Sequence, residues 1–293
     1  MRNTIYLMLL MVFIFSCKKD TVLENIIIED NTAPPYNEVT TVQIQNYVNK
    51  IYIDLLGREP LESELNSSAS ELKSNSLSDA SREQLLTNLM ESEEYYKRFY
   101  EIYQTSYLPG VTNGELDLTI LIYEVERDQA IQNGNNTLVQ LYNLELDLMY
   151  ALRNARVDYQ NGEITINEFM SRITRNQFYE EINMGAENYV LSCFENFLKR
   201  TPTDAQLIAS VNMVEGNPAQ VFFQDGNNQN DFINILMNTA EFYQGLSIDI
   251  YNQLLVRLPD SQEMVDTIFI FDETQDYQSV QRLVMKSDEY AGF

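Results

Sequence analysis

Apolar residues recur with a helical period at Tyr47, Val48, Ile51, Tyr52, Leu55 and Leu56. These fall at i, i+1, i+4, i+5, i+8 and i+9, one face of a helix. Gly57 and Pro60 follow and predict its end, the glycine near the C-cap and the proline just beyond. Acidic residues come two or four positions after the proline, at Glu62 and Glu64, and suit the first turn of a second helix. Leu85, Leu86, Leu89 and Met90 predict a third helix. Ser92 then reads as an N-cap opening a short Glu-Tyr turn. No stretch shows sustained strand-like alternation, so the pattern predicts an all-α fold, a bundle of helical repeats.

The repeats are visible directly. Tyr52 to Pro60 returns as Phe194 to Pro202 and again as Tyr251 to Pro259. In each copy an aromatic stands eight residues before the proline and an arginine two before: Arg58, Arg200 and Arg257. A closing segment also recurs, Met90-Glu-Ser92-Glu-Glu94-Tyr95, as Met237 to Phe242 and as Met285 to Tyr290, with Thr239 and Ser287 at the cap. Ile173 to Phe178 is a looser copy. Proline to closing aromatic runs from 60 to 95, 202 to 242 and 259 to 290, and Asp204 and Glu263 again follow their prolines. A degenerate copy opens at Tyr103 to Pro109, lacks the arginine and closes at Phe178. About four units result, at 43–98, 99–183, 184–245 and 246–293. Lys199 and Val256 stand where the first unit has glycine, so those helix ends are expected to differ.

An insertion interrupts the second unit at 115–160. Leu116, Leu118, Ile120, Leu121, Tyr123 and Val125 predict one helix, broken by Asn133-Gly134-Asn135-Asn136. Thr137 reads as the cap of a second, carrying Leu138, Leu141, Leu144, Leu148 and Leu152. The pair predicts an antiparallel helical hairpin with one face buried and one wet.

Residues 156–205 resemble the linker proteins of cyanobacterial phycobilisomes. The resemblance is carried by Asn161-Gly-Glu-Ile-Thr-Ile-Asn-Glu-Phe169, then Phe178-Tyr179, then Asn196-Phe-Leu-Lys-Arg200-Thr-Pro202. The first unit is similar to helical repeats of uncharacterised secreted bacterial proteins. Its Tyr52–Pro60 and Ser92–Tyr96 segments also resemble a helical module found beside cytochrome domains in planctomycetes. Likeness to linkers implies a helical bundle that holds other proteins together. It does not imply light harvesting, since no pigment-binding cysteine pattern is present.

The N-terminus sets an expected compartment. Arg2 precedes an apolar run ending at Ser16-Cys17, the layout of a signal peptide, and the run falls short of the ~20 apolar residues of a membrane span. Ile14-Phe15-Ser16-Cys17 resembles a bacterial lipobox, with Cys17 as the lipid-bearing residue. Residues 18–42 then read as a flexible tether of mixed charge with Pro34-Pro35. Its early charges resemble the surface-export signals of Bacteroidota lipoproteins. The expectation is a bacterial envelope protein, an outer-membrane lipoprotein held to the membrane by its lipid.

Composition narrows the chemistry. The chain of 293 residues has 44 Asp+Glu against 19 Lys+Arg, a formal charge of −25, which disfavours nucleic acid as a partner. It has no histidine, which removes His-based nucleophile systems and His-ligated zinc or haem. Its two cysteines are Cys17 and Cys193, the second on an apolar stretch where a small buried hydrophobe is expected. The segment 157–168 looks like the back half of a calcium loop, but Val157 and Tyr159 replace its first carboxylates. Asp225 to Asp231 is oxygen-rich yet has no glycine at its sixth position. No metal or cofactor is therefore expected. The arginines of the repeats, with Pro60, Pro202 and Pro259, read as structural, bonding terminal carbonyls or a neighbouring acid. Tyr95, Tyr96, Tyr100, Tyr103 and Tyr107 are dense enough for a contact patch, since aromatics are enriched at interfaces; helical spacing suits a core equally.

These readings converge on a non-catalytic interaction or scaffold subunit whose partner is another envelope protein. A cell-surface glycan-binding protein using tyrosines is the alternative, and an enzyme built on carboxylates and tyrosine is a third class.

Overall fold

The computed structural model describes residues 39–293, and among them the chain is all-α apart from one small β-hairpin. The helices run α1 (Thr41–Leu56), α2 (Glu62–Ser74), α3 (Asp79–Met90), α4 (Glu93–Tyr107), α5 (Asn113–Gln132), α6 (Asn136–Gln160), α7 (Ile166–Thr174) and α8 (Gln177–Ile182). After α9 (Ala186–Cys193) comes a π-helical turn (Phe194–Leu198), then α10 (Asp204–Val214). Strands β1 (Ala219–Val221) and β2 (Gln224–Gly226) pair antiparallel, with Ala219 opposite Gly226. The chain closes with α11 (Gln229–Met237), α12 (Ala240–Leu255), α13 (Ser261–Thr274), α14 (Tyr277–Met285) and α15 (Asp288–Ala291).

Local chemistry explains the first helix. Thr40 and Gln43 form a reciprocal capping box, and the periodic face from Tyr47 to Leu56 is buried. Gly57 ends α1 in the left-handed conformation, at φ 72°. Lys199 and Val256 adopt the same conformation at φ 55°. The left-handed turn is thus kept at both ends, where two side chains accept a backbone that costs about 1 kcal/mol or more. The Val256 end repeats that of Gly57, while the Lys199 end differs, as expected, in closing a π-helical turn.

Successive units share helices. Ser92 caps α4 by accepting from the Tyr95 N–H, and Thr239 caps α12 by accepting from Phe242. At these two places the closing turn runs on as the long helix that opens the following unit, as expected, whereas Asn176 and Ser287 open only the short helices α8 and α15. Unit 1 is α1–α2–α3, unit 2 is α4–α7 with the hairpin inside, unit 3 is α9–α11, and unit 4 is α12–α14 with α15 as its close. Unit 2 closes at Asn176, whose side chain accepts from the Tyr179 N–H. Its closing segment is therefore Thr174 to Tyr179, one residue later than the Ile173–Phe178 reading. A helix cap, not the nearest aromatic, fixes the register. The hairpin's second helix is capped by Asn135, two residues before the expected Thr137.

The units meet in two equivalent joints. Unit 4 packs on unit 1 through α14 against α3, and unit 2 packs on unit 3 through α7 against α11. Gln278 donates to the Met90 carbonyl and to the Tyr96 hydroxyl. Asn167 donates to the Met237 carbonyl and the Tyr243 hydroxyl, the corresponding atoms. Likewise Tyr47 donates to the Met285 carbonyl and Tyr189 to the Thr174 carbonyl. The first and last units are thereby locked together, and Tyr95 adds a 2.6 Å bond to Gln281. At another contact α12 lies against the π-helical turn. A side chain at Gly245 would meet the Phe197 carbonyl oxygen at 1.9 Å, so only glycine permits this approach.

Candidate functional site

Each unit turns from its first to its second helix through a corner of fixed chemistry. The second helix opens with an N-cap residue whose own N–H is accepted by the side chain three positions on. The pairs are Leu61 with Glu64, Thr112 with Glu115, Thr203 with Gln206 and Asp260 with Glu263. In units 1, 3 and 4 the residue three before the cap is arginine, and it gathers two further partners. Arg58 binds Glu64 at 2.8 Å and Glu94 at 2.6 Å. Arg257 binds Glu263 at 2.7 Å and Glu289 at 2.6 Å. Arg200 binds Glu241 at 2.6 Å and the Gln206 amide oxygen at 3.0 Å. All three guanidinium groups also lie over an aromatic ring, 5.4 Å from Tyr52, 5.2 Å from Phe194 and 5.3 Å from Tyr251.

Glu94, Glu241 and Glu289 each stand one residue before the closing aromatic. The arginine therefore ties the corner to the end of its own unit. Hydrogen bonds from the arginines hold the carboxyls of Glu64, Glu263 and Glu289 below the usual glutamate value. The arginines bond neighbouring acids and the carbonyl of the next residue, not the last helical carbonyls. The acids before the closing aromatics were legible as a recurring Glu, but their partner was not.

Unit 2 departs from this plan. Tyr103 keeps the aromatic position, nine before the cap, but Pro109 falls where the others have arginine. It is not the counterpart of Pro60, Pro202 and Pro259; Val111 holds that place. Leu108 ends α4 at φ −125°, so the left-handed turn is absent as well. The residue before the closing aromatic is Phe178 in place of glutamate. The corner is consequently open. A groove of about 390 Å³ lies there, lined by Pro109, Glu115, Leu118, Ile122, Phe178 and Glu181 among others.

The hairpin supplies a second unusual surface. Leu116, Ile120 and Ala130 of α5 are buried. On the opposite side of the same helix Leu118, Leu121, Ile122 and Val125 are each 47–56% exposed. Their spacing is i, i+3, i+4 and i+7, a continuous apolar stripe. Two of its members, Leu118 and Ile122, also line the groove. Near the tip Leu138, Leu141 and Leu144 of α6 are exposed too. The expected division into one buried and one wet face fails for α5, which is apolar on two faces.

The tyrosines do not form a patch. Tyr95, Tyr100 and Tyr103 are buried, and Tyr96 and Tyr107 are half-buried. Helix α4 is covered by α1, α3, α6 and α7, and this encloses its aromatic face. Phe99 centres the cluster, with ring centroids 4.9 Å from Tyr103, 5.3 Å from Tyr159 and 5.1 Å from both Phe169 and Tyr277. Burial pushes the hydroxyls of Tyr95 and Tyr103 well above the usual tyrosine value, so they stay neutral.

The remaining sequence candidates have structural settings. Cys193 is buried and its thiol is pushed up by desolvation. Glu168 is taken up by Arg172 and Arg175. Asp231 accepts from the Asn227 N–H at the start of α11. A polar cleft of about 350 Å³ separates α4, α5 and α6, with Tyr100, Gln104, Asn113, Arg153 and Arg156 on its walls. No group of metal-ligating side chains is found among the described residues, and no described helix is long and apolar enough to cross a membrane. Cys17 and the tether up to residue 38 lie outside the described residues.

Residues 32–99 match the model of a domain family described as "Domain of unknown function (DUF4214)". The match covers unit 1 and the first turns of α4. No curated protein and no solved structure matches the chain.

Proposed function

We propose that this chain is a lipid-anchored protein of a bacterial envelope that acts as a non-catalytic interaction or scaffold subunit. The observation that carries the reading is the outward stripe of α5. An apolar stripe opposite the core-facing side of a helix has no folding role, and contiguous exposed apolar surface marks an interaction site. The lipobox resemblance at Cys17 supplies the anchor, and the likeness of residues 156–205 to phycobilisome linkers supports a connecting role. The partner in this reading is a second envelope protein, met through the hairpin. The glycan-binding alternative has one feature in its favour, the polar cleft beside Tyr100, Gln104 and Asn113.

A double variant, Leu121→Glu with Val125→Glu, tests the reading. Both positions are about half exposed, so thermal stability is expected to change by less than about 0.5 kcal/mol. Quantitative co-purification from gently solubilised membranes is expected to give a stoichiometric partner with wild type and to lose it with the variant. A partner retained by the variant, or none with either protein, would sink the reading. Saturable binding of a polysaccharide, lost on Gln104→Ala, would move the glycan alternative ahead. A Cys17→Ser chain that partitions with membranes like wild type would remove the lipid anchor.

A further inference from the structure

We propose that the open corner of unit 2 receives an arginine from a partner protein, completing in trans the clamp that units 1, 3 and 4 complete with their own arginine. The inference rests on the interaction reading above and names the chemistry that the partner must bring.

Four copies of one corner exist, and three are filled. In unit 1 Glu64 accepts the Leu61 N–H and Arg58 Nη1 on Oε2, and Arg58 Nη2 on Oε1. Glu263 of unit 4 accepts Asp260 N–H and Arg257 in the same pattern. In unit 2 Glu115 keeps the first half of this arrangement. Its Oε2 accepts the Thr112 N–H at 2.8 Å and the Thr112 hydroxyl at 3.1 Å. Its Oε1 has no donor among the described residues, and no described lysine or arginine pairs with it. The carboxylate is oriented by the same cap and lacks the same ligand.

The groove fits that ligand in three ways. Glu115 and Phe178 hold the positions of Glu64 and Glu94, the two residues on which Arg58 closes, and both line one space. Glu181 adds a second carboxylate to the lining, and no cation lines it, so the charge is complementary to a guanidinium. Phe178 puts an aromatic ring into the lining where the other corners have glutamate, and a ring face attracts a guanidinium. Leu118 and Ile122 continue from the groove into the outward stripe of α5. An arginine flanked by apolar side chains therefore meets carboxylate and apolar surface together. The planar fork of arginine suits the free oxygen of a capped carboxylate better than the point charge of lysine.

The test uses the full chain and the capped peptide acetyl-Leu-Arg-Leu-amide, followed by calorimetric titration. Saturable binding is expected with a Kd on the order of 1 mM, an affinity suited to so small a probe. The citrulline twin, which keeps the shape and loses the charge, is expected to bind about ten-fold more weakly. Glu115→Gln is expected to weaken the arginine peptide by the same factor without lowering the unfolding temperature, because Gln206 performs this capping role in unit 3. Pro109→Arg supplies the missing side chain in cis and is expected to abolish binding. Equal binding of the citrulline peptide, indifference to Glu115→Gln, or no saturable binding would each overturn the proposal. If the peptide fails while Leu121→Glu with Val125→Glu still strips a stoichiometric partner, the arginine is wrong and the interaction reading stands. If the double variant strips nothing, that reading falls whatever the peptide does.

Discussion

Units 1 and 2 build the same corner from different materials. In unit 1 a left-handed glycine aims Arg58 at two carboxylates, and the helix end, the second helix and the unit's close are tied at one point. In unit 2 the glycine is Leu108, the arginine is Pro109 and one carboxylate is Phe178, yet the cap of the second helix is unchanged. The clamp is thus separable from the fold. Unit 2 has other support, since α5 and α6 pack on each other and α6 on α4 and α7. Where the hairpin holds the unit together, the corner is released from structural duty and left open.

The comparison makes its largest prediction at the joints. If unit 2 leans on unit 3 in place of a clamp, the joint residue of unit 2 matters more than its counterpart in unit 4. Asn167 is buried, and its loss strands the Met237 carbonyl and leaves the Tyr243 hydroxyl only a long bond from Gln275. Asn167→Ala is expected to cost about 2–3 kcal/mol in chemical denaturation, against about 1 kcal/mol for Gln278→Ala. Equal costs would break the idea that the joint compensates.

A smaller effect tests the clamp itself. Arg58→Ala leaves Glu64 and Glu94 facing one another, but the arginine is 35% exposed and solvent screens the corner. A loss of about 1–2 kcal/mol is expected near neutral pH. The pH dependence has a definite sign. Glu64 titrates below its ordinary value of 4.5 in the folded chain. Its contribution is therefore complete above pH 4.5 and disappears as pH falls through the lowered folded value. Unfolding temperatures of wild type and Arg58→Ala are expected to converge as the solution is acidified below that point. A gap that widens on acidification would contradict the clamp.

The smallest prediction sharpens the corner's geometry. Val256 holds a left-handed backbone, is 88% exposed and so gains little from packing. Val256→Gly is expected to raise stability by about 1 kcal/mol, seen as a higher unfolding temperature. The same change at Leu108, which has a negative φ and is buried, is expected to destabilise.

Much of this architecture is legible in the sequence. The face from Tyr47 to Leu56, the caps at Ser92, Thr239 and Ser287, and the three arginine–proline corners follow from helical period and capping chemistry, which are local. Reading unit 2 was harder for a physical reason. Pro109 looks like the repeat proline, and Phe178 looks like the closing aromatic. Only the caps at Thr112 and Asn176 show that the first stands two positions, and the second one position, from the expected place. Glu115 was invisible as a candidate because one acid among 44 carries no signal without a register.

The sequence by itself determined that the chain is helical, that the pattern repeats and where helices begin and stop in units 1, 3 and 4, because these depend on contacts within a few residues. The tertiary structure alone decided the rest. It placed Tyr95, Tyr100 and Tyr103 in the core, since burial of a helix face depends on how many neighbours cover it. It joined unit 4 to unit 1 across more than 180 residues, through bonds such as Gln278 to Met90. It also left one corner of four open, a fact that exists only where two chain-distant positions, Glu115 and Phe178, come to face the same space.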